Sequence, residues 1–136
     1  MSTIFDAAYV TALAVSSPYL LPKLLLSDRF RTGLSQRLGR IGNREEKRPC
    51  VWIHCASVGE IITVKTLVNS LEKEFNSWDV VISTNTTTGQ GVARRYFPKT
   101  NIFYFQLDIS WVVERSLGAI RPDCVILAEL EIWPNF

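Results

Sequence analysis

From residue 49 onward, apolar positions recur with two alternating periods. Val51–Cys55 is a short continuous apolar run. Residues 60–75 carry Val64, Leu67, Val68, Leu71 and Phe75, an apolar stripe at helical spacing. Asp79–Ser83 reads as a second strand and Gln90–Phe97 as a short helix opened by a Thr/Gly turn. Asn101–Phe105 reads as a third strand. Ile109–Ile120 reads as a third helix, with Asp108 or Ser110 placed to cap it. Asp123–Ala128 closes the series as a fourth strand. Continuous apolar strands separated by helices predict an α/β fold, a Rossmann-like parallel sheet with helices on both faces and right-handed crossovers.

The front of the chain follows a different pattern. Ala7–Leu26 is a twenty-residue stretch with one charge, Lys23. As a helix it would reach roughly 30 Å, about one hydrocarbon core. Pro18 and Pro22 each remove a backbone donor, so only Ala7–Ser17 reads as uninterrupted helix. The basic residues Lys23, Arg29, Arg31, Arg37, Arg40, Arg44, Lys47 and Arg48 follow the apolar run, whereas a secretory signal carries its charges before it. That order predicts a membrane anchor, spanning or interfacial, with the body on the cytoplasmic side. An amphipathic or buried helix is the alternative. The expected division is an anchor over 1–27, a basic linker over 28–48 with a short helix around Leu34–Leu38, and a Rossmann-like domain over 49–136.

Composition sharpens this division. The chain of 136 residues is 47% hydrophobic, enough for one domain with a core. Residues 1–48 hold eight Lys/Arg against four Asp/Glu, and residues 49–136 hold seven against nine. The positive excess thus belongs to the front, and the body lacks the basic face of a nucleic-acid binder. Cys50, Cys55 and Cys124 match no zinc spacing. Cys55 and Cys124 read as buried thiols in a reducing compartment, and no ligand cluster for a metal is evident. No cofactor is implied.

In an open α/β sheet, ligands bind beyond the carboxyl ends of the strands. Four segments fall there. In HCASVGE (54–60), Ser57 and Glu60 fit a capping box. Glu60 equally suits a general base kept ionised by the helix dipole, with Gly59 letting a ligand approach the backbone. His54 reads first as a core or rim residue. In STNTTTGQG (83–91), Thr86, Thr87 and Thr88 can hold an anion at a helix N-terminus, or simply cap it; Arg94 and Arg95 read as solvated. QLD (106–108) is the third segment. AELEIWPNF (128–136) places Glu129 and Glu131 past a strand, with Trp133-Pro134 as a stiff turn.

Together with the front anchor, these four segments in this order resemble the N-terminal half of the Kdo transferases, enzymes that move 3-deoxy-D-manno-octulosonic acid from CMP-Kdo to a lipid A precursor. The resemblance implies the GT-B arrangement, with this half binding the lipid acceptor and a C-terminal domain, to which nothing here corresponds, binding the CMP-sugar. It implies Glu60 as general base and a second functional carboxylate at Glu129 first, or Glu131. Ser57, Gly59, Thr86, Thr87, Thr88 and Glu131 are then expected substrate contacts. Three positions depart from the family pattern: Cys55 for a small residue, Gln106 for proline, and Leu130 for a small hydroxyl residue. The expected chemistry is inverting Kdo transfer in lipopolysaccharide synthesis, with this portion inactive by itself. A membrane-tethered Rossmann-like binding module without catalysis is the reading from another class, and a related transferase with another sugar donor is a third.

Overall fold

The computed structural model describes residues 3–26, 31–45 and 48–136. Its elements are α1 (Thr3–Leu26), α2 (Leu34–Arg37), β1 (Cys50–Cys55), α3 (Val58–Thr63), α4 (Lys65–Glu74), β2 (Asp79–Thr84), α5 (Thr87–Tyr96), β3 (Asn101–Tyr104), α6 (Ser110–Ile120) and β4 (Cys124–Leu127). The strands form one parallel sheet in the order β3-β2-β1-β4. Ile82 sits level with Ile53 on one side and Ile102 on the other.

Alternation along β1 sorts the core into two layers. Val51, Ile53 and Cys55 pack with Ile61, Val64, Val68, Ala93 and Phe97 of α3–α5 and the residue that follows them. Cys50 and Trp52 point the other way, toward Ala119 and Ile120 of α6 and toward Phe103 and Phe105. The fold is therefore α/β with helices flanking a parallel sheet, preceded by an apolar helix, as the strand–helix alternation predicts. The chain steps from β1 to β2 to β3, then crosses to the far edge of β1 for β4. The reversal of direction falls between β1 and β4, and open α/β sheets form their ligand crevice at such a switch point.

Several boundaries differ from the expectation. The stripe over 60–75 is two helices that meet at Val64 (φ −78, ψ −4). Helix α1 runs through both prolines. Pro18 cannot donate to the carbonyl of Ala14, and the Ser17 hydroxyl donates to that oxygen instead, at 2.7 Å. Helix α6 is capped by neither Asp108 nor Ser110. Its flanking residue Ile109 has no side-chain cap, and the backbone N–H of Ser110 donates to Asp6 Oδ1 of α1 at 2.8 Å. Asp108 instead accepts the Asn135 N–H and the Tyr9 hydroxyl.

The segment named above as a basic linker packs on the body where it is described. Gln36 Oε1 accepts the Tyr104 N–H at 2.9 Å, the Arg37 carbonyl accepts that of Leu107, and Ile41 joins the core. Gly33, at φ 75, lies so close to Tyr104 that a Cβ there would sit 2.1 Å from the ring. Only glycine fits both demands. Arg44 and Arg48 both pair with Asp79, at 2.6 Å each, at the amino ends of the strands. Arg29 and Lys47, and the boundary expected at 27/28, lie outside the described residues.

The cysteine reading needs one correction. Cys55 is buried, as is Cys50, but Cys124 is exposed. It starts β4, an edge strand whose first two residues are open to solvent. All three thiols are free.

Candidate active site at the β1–β4 crevice

Strand β1 delivers HCASVGE to the carboxyl edge of the sheet. Ser57 is extended (φ −124, ψ 164), and its Oγ accepts the Glu60 N–H at 3.3 Å. Glu60 Oε2 reaches back to the Ala56 N–H at 2.8 Å. This is the capping arrangement read from the sequence, displaced by one residue on the return bond. Glu60 is 6% exposed, so its local role is real. Its other oxygen, Oε1, has no protein partner among the described residues and is not among the side-chain atoms sealed from water. One carboxylate oxygen is spent on the backbone and the other stays open. A Cβ on Gly59 would meet only Ser57 Oγ, at 3.8 Å, so nothing within the chain demands glycine there and the space over that backbone is free.

Beside it, AELEIWPNF folds back over the α6 face. Trp133 packs on Phe105 (centroids 5.1 Å apart), and Phe136 stands edge-on to Trp52 at 5.1 Å. Asn135 fastens the segment: its N–H and side-chain amide both donate to Asp108, the latter to the main-chain oxygen at 2.8 Å. Trp133 Nε1–H donates to Glu131 Oε2 at 3.1 Å. The turn thus holds Glu131, whereas Glu129 is exposed and has no partner among the described residues. Leu130, at 97% exposure, is the most open large apolar side chain described.

His54 lies between the two loops. It is 1% exposed and stacks on Phe105 with centroids 3.9 Å apart. Its Nε2 is 3.1 Å from Glu131 Oε2. Burial is the larger effect on its pKa and lowers it, against the opposing pull of the Glu131 and Glu60 carboxylates. The reading of His54 as a core residue holds for its burial, but sequence spacing alone gave no sign of its contact with Glu131. Burial also pushes the neighbouring Cys55 thiol up to about 12, with Glu60 adding to the rise.

The Thr-rich loop caps α5. Thr86 Oγ1 accepts the Gly89 N–H at 3.0 Å, and Thr87 Oγ1 accepts the Tyr104 hydroxyl at 3.3 Å. Thr88 is exposed and makes no side-chain contact among those described. Arg94 donates to Gln90 Oε1 and the Ile102 carbonyl, both at 3.2 Å, so it ties α5 to β3. Gln106 is buried with both amide atoms unpartnered among the described residues. A cavity of about 300 Å³ lies at the opposite edge of the sheet, among Arg44, Glu72, Asp79 and Lys99. Its charges are mixed and largely paired, and it is remote from every strand's carboxyl end.

Among the described residues no group of three or more His, Cys, Asp or Glu is placed to hold a metal ion. A histidine on β1 and two carboxylates in the segments that follow β1 and β4, each carboxylate with one oxygen uncommitted among the described residues, can accept hydrogen bonds from hydroxyl groups and take up a proton.

Comparison with known proteins places this chain in a family. The family described as "3-Deoxy-D-manno-octulosonic-acid transferase (kdotransferase)" matches residues 32–136. The 3-deoxy-D-manno-octulosonic acid transferase of Chlamydia trachomatis serovar D is 30% identical over 99% of this chain and 32% of its own length. That of Haemophilus influenzae is 31% identical over 93% of this chain and 31% of its own length. A bifunctional glycosyltransferase/methyltransferase of Fusobacterium nucleatum is 30% identical over 81% of the chain and 18% of its own length. This chain spans about a third of the transferases it matches, and it belongs to the Kdo transferase family of glycosyltransferases.

Proposed function

We propose that the chain is the acceptor-binding half of an inverting Kdo transferase, and that Glu60 is its general base. In this reading Glu60 Oε1 takes the proton from a sugar hydroxyl of a lipid A precursor. The oxygen attacks the anomeric carbon of Kdo, a new C–O bond forms as the bond to CMP breaks, and CMP leaves from the opposite face. CMP-Kdo is held by a C-terminal domain facing this one across a cleft, the GT-B arrangement, and this half alone does not turn over. No cofactor or metal enters the reading. Glu129 or Glu131 is the second functional carboxylate, and Ser57, Gly59, Thr86, Thr87 and Thr88 border the acceptor.

The observation that carries the reading is the open second oxygen of Glu60 at the β1–β4 switch point. The cap uses one carboxylate oxygen only, and the other stands next to the unfilled face of Gly59. Its bond to the Ala56 N–H fixes the orientation of the carboxylate and leaves Oε1 for the acceptor.

The same reading puts the protein at the inner membrane with its body in the cytoplasm. Helix α1 is long and apolar enough to cross a bilayer over Ile4–Lys23, and none of that stretch is buried. Asp6 and Tyr9 nevertheless bond to Ser110, Asn135 and Asp108 of the body. These bonds hold the amino end of the helix against the body, next to the candidate site. Arg44 and Arg48 are spent on Asp79, and Arg37 donates to the Asn85 carbonyl and lies over the Tyr104 ring, whereas Arg31 and Arg40 are exposed and better suited to meet acceptor phosphates.

The test is Glu60→Gln in the full-length protein. Gln keeps an acceptor oxygen for the Ala56 N–H, so the fold should persist while transfer falls by about 10²–10⁴-fold, the usual worth of a general base. Near-normal transfer would leave Glu60 only its capping role and would favour the binding-module alternative.

A further inference from the structure

His54 is a buried titratable group that the proposed chemistry leaves without a task, and its surroundings assign it one. Trp52 Nε1–H donates to Ser83 Oγ at 2.7 Å, and Ser83 Oγ lies 2.9 Å from His54 Nδ1. An indole nitrogen only donates, so it occupies one lone pair of the hydroxyl. The tautomer in which the hydroxyl hydrogen goes to His54 Nδ1 carries the proton of neutral His54 on Nε2. That nitrogen is sealed from water, and it has no correctly angled hydrogen bond. Glu131 Oε2 stands 3.1 Å away. The distance suits a hydrogen bond, although the angle lies outside the usual range. Glu131 Oε2 is meanwhile held by Trp133 Nε1–H. Glu131 Oε1 has no protein partner among the described residues and is not sealed from water.

We propose that His54 and Glu131 form a second hydroxyl-binding subsite for the sugar acceptor, in which His54 is the positioning residue and Glu131 Oε1 accepts a hydroxyl other than the one Glu60 deprotonates. Trp52, Ser83, His54 and Glu131 form a chain of contacts from β1 and β2 to the loop after β4, and it ties one carboxylate to the buried sheet. Glu60 and Glu131 both lie close enough to His54 to act on it electrostatically, so the two carboxylates flank the same histidine. The ligand class is a polyhydroxylated ring whose hydroxyls donate to two fixed carboxylates. The inference rests on the transferase reading for its reaction, but it concerns binding of the acceptor alone.

The experiment uses the full-length protein with the lipid A precursor as acceptor and CMP-Kdo as donor. His54→Phe keeps a ring to stack on Phe105 and removes both nitrogens. His54→Gln keeps an N–H that can reach Glu131. His54→Phe and Glu131→Gln should each raise the acceptor KM about ten- to hundredfold, the usual cost of losing a hydrogen bond to a charged group, and leave the donor KM unchanged. The double variant should be no worse than Glu131→Gln, and His54→Gln should recover most of the loss. Additive losses, or equal shifts in both KM values, would reduce His54 to a packing residue and overturn the subsite. Should His54→Phe fail to fold, Glu131→Gln and His54→Gln still decide between these outcomes. Binding of the precursor without donor separates the two layers. A wild-type protein that neither binds nor transfers refutes the transferase reading, whereas one that transfers while the variants act independently refutes only the subsite.

Discussion

Asp6 Oδ1 accepts the backbone N–H of Ser110 at 2.8 Å, so the first turn of an apolar helix caps a helix that begins more than a hundred residues later. The same oxygen accepts the side-chain amide of Asn135 at 3.2 Å, and Asn135 belongs to the segment that carries Glu129 and Glu131. Helix α1 and the candidate site thus share a hydrogen-bond cluster. Asp6→Ala should lower the thermal unfolding temperature of the full-length protein in detergent and weaken transfer, because it leaves the Ser110 N–H uncapped and releases Asn135. Asp6→Asn keeps an acceptor oxygen and should restore most of both. Equal unfolding temperatures for Asp6→Ala and the wild type would mean that α1 does not seat on the body in solution.

Ser57 and Glu60 share one cap but should separate on mutation. Ser57→Ala removes the acceptor of the Glu60 N–H and should cost about 1 kcal/mol of stability, as lost N-caps do. Transfer should fall only modestly. Glu60→Gln should give the opposite profile, with stability nearly kept and turnover lost. Chemical denaturation and initial rates on both variants check this, and parallel losses in the two would contradict the division of roles.

Acid should destabilise the fold through His54. Burial lowers its pKa in the folded protein, while the unfolded chain takes up its proton near the ordinary 6.5. The unfolded state therefore binds the extra proton first as pH falls. Stability from this group is complete above about pH 6.5 and declines as pH drops below it toward the folded value, by up to about 1.4 kcal/mol per pH unit. Denaturation curves between pH 7.5 and 5 should show this slope in the wild type and a shallower one in His54→Gln.

Thiol reactivity should follow exposure. Cys124 is open at the start of β4, Cys50 and Cys55 are buried, and the Cys55 thiol is pushed up to about 12. A maleimide at pH 7 should label Cys124 in the folded protein and reach Cys50 and Cys55 only on unfolding, as peptide mass mapping would reveal. Labelling of Cys55 in the folded state would contradict its burial beneath α3–α5.

How far the sequence reaches depends on the range of the interaction. The strand at Val51–Cys55 and the helix ending at Ile120 are legible because period and apolar content are properties of neighbouring residues. The Ser57–Glu60 cap is legible for the same reason, since three positions of spacing bring the two groups together. The continuous α1 was obscured because Pro18 argues locally for a break, and the Ser17 hydroxyl that answers the orphaned Ala14 carbonyl carries no signal of its own.

The sequence by itself determined the parallel α/β layering, the apolar front helix, the carboxyl-edge loops and the four motifs that mark the family. Only the tertiary structure decided which groups meet. Strand order brings the end of β1 beside the end of β4 and so sets His54 against Glu131 rather than Glu129. It spends Arg44 and Arg48 on Asp79, and it lends Asp6 to Ser110. The physical reason is that these contacts join residues far apart along the chain. They form only once the sheet has fixed their separation, and no local period encodes them.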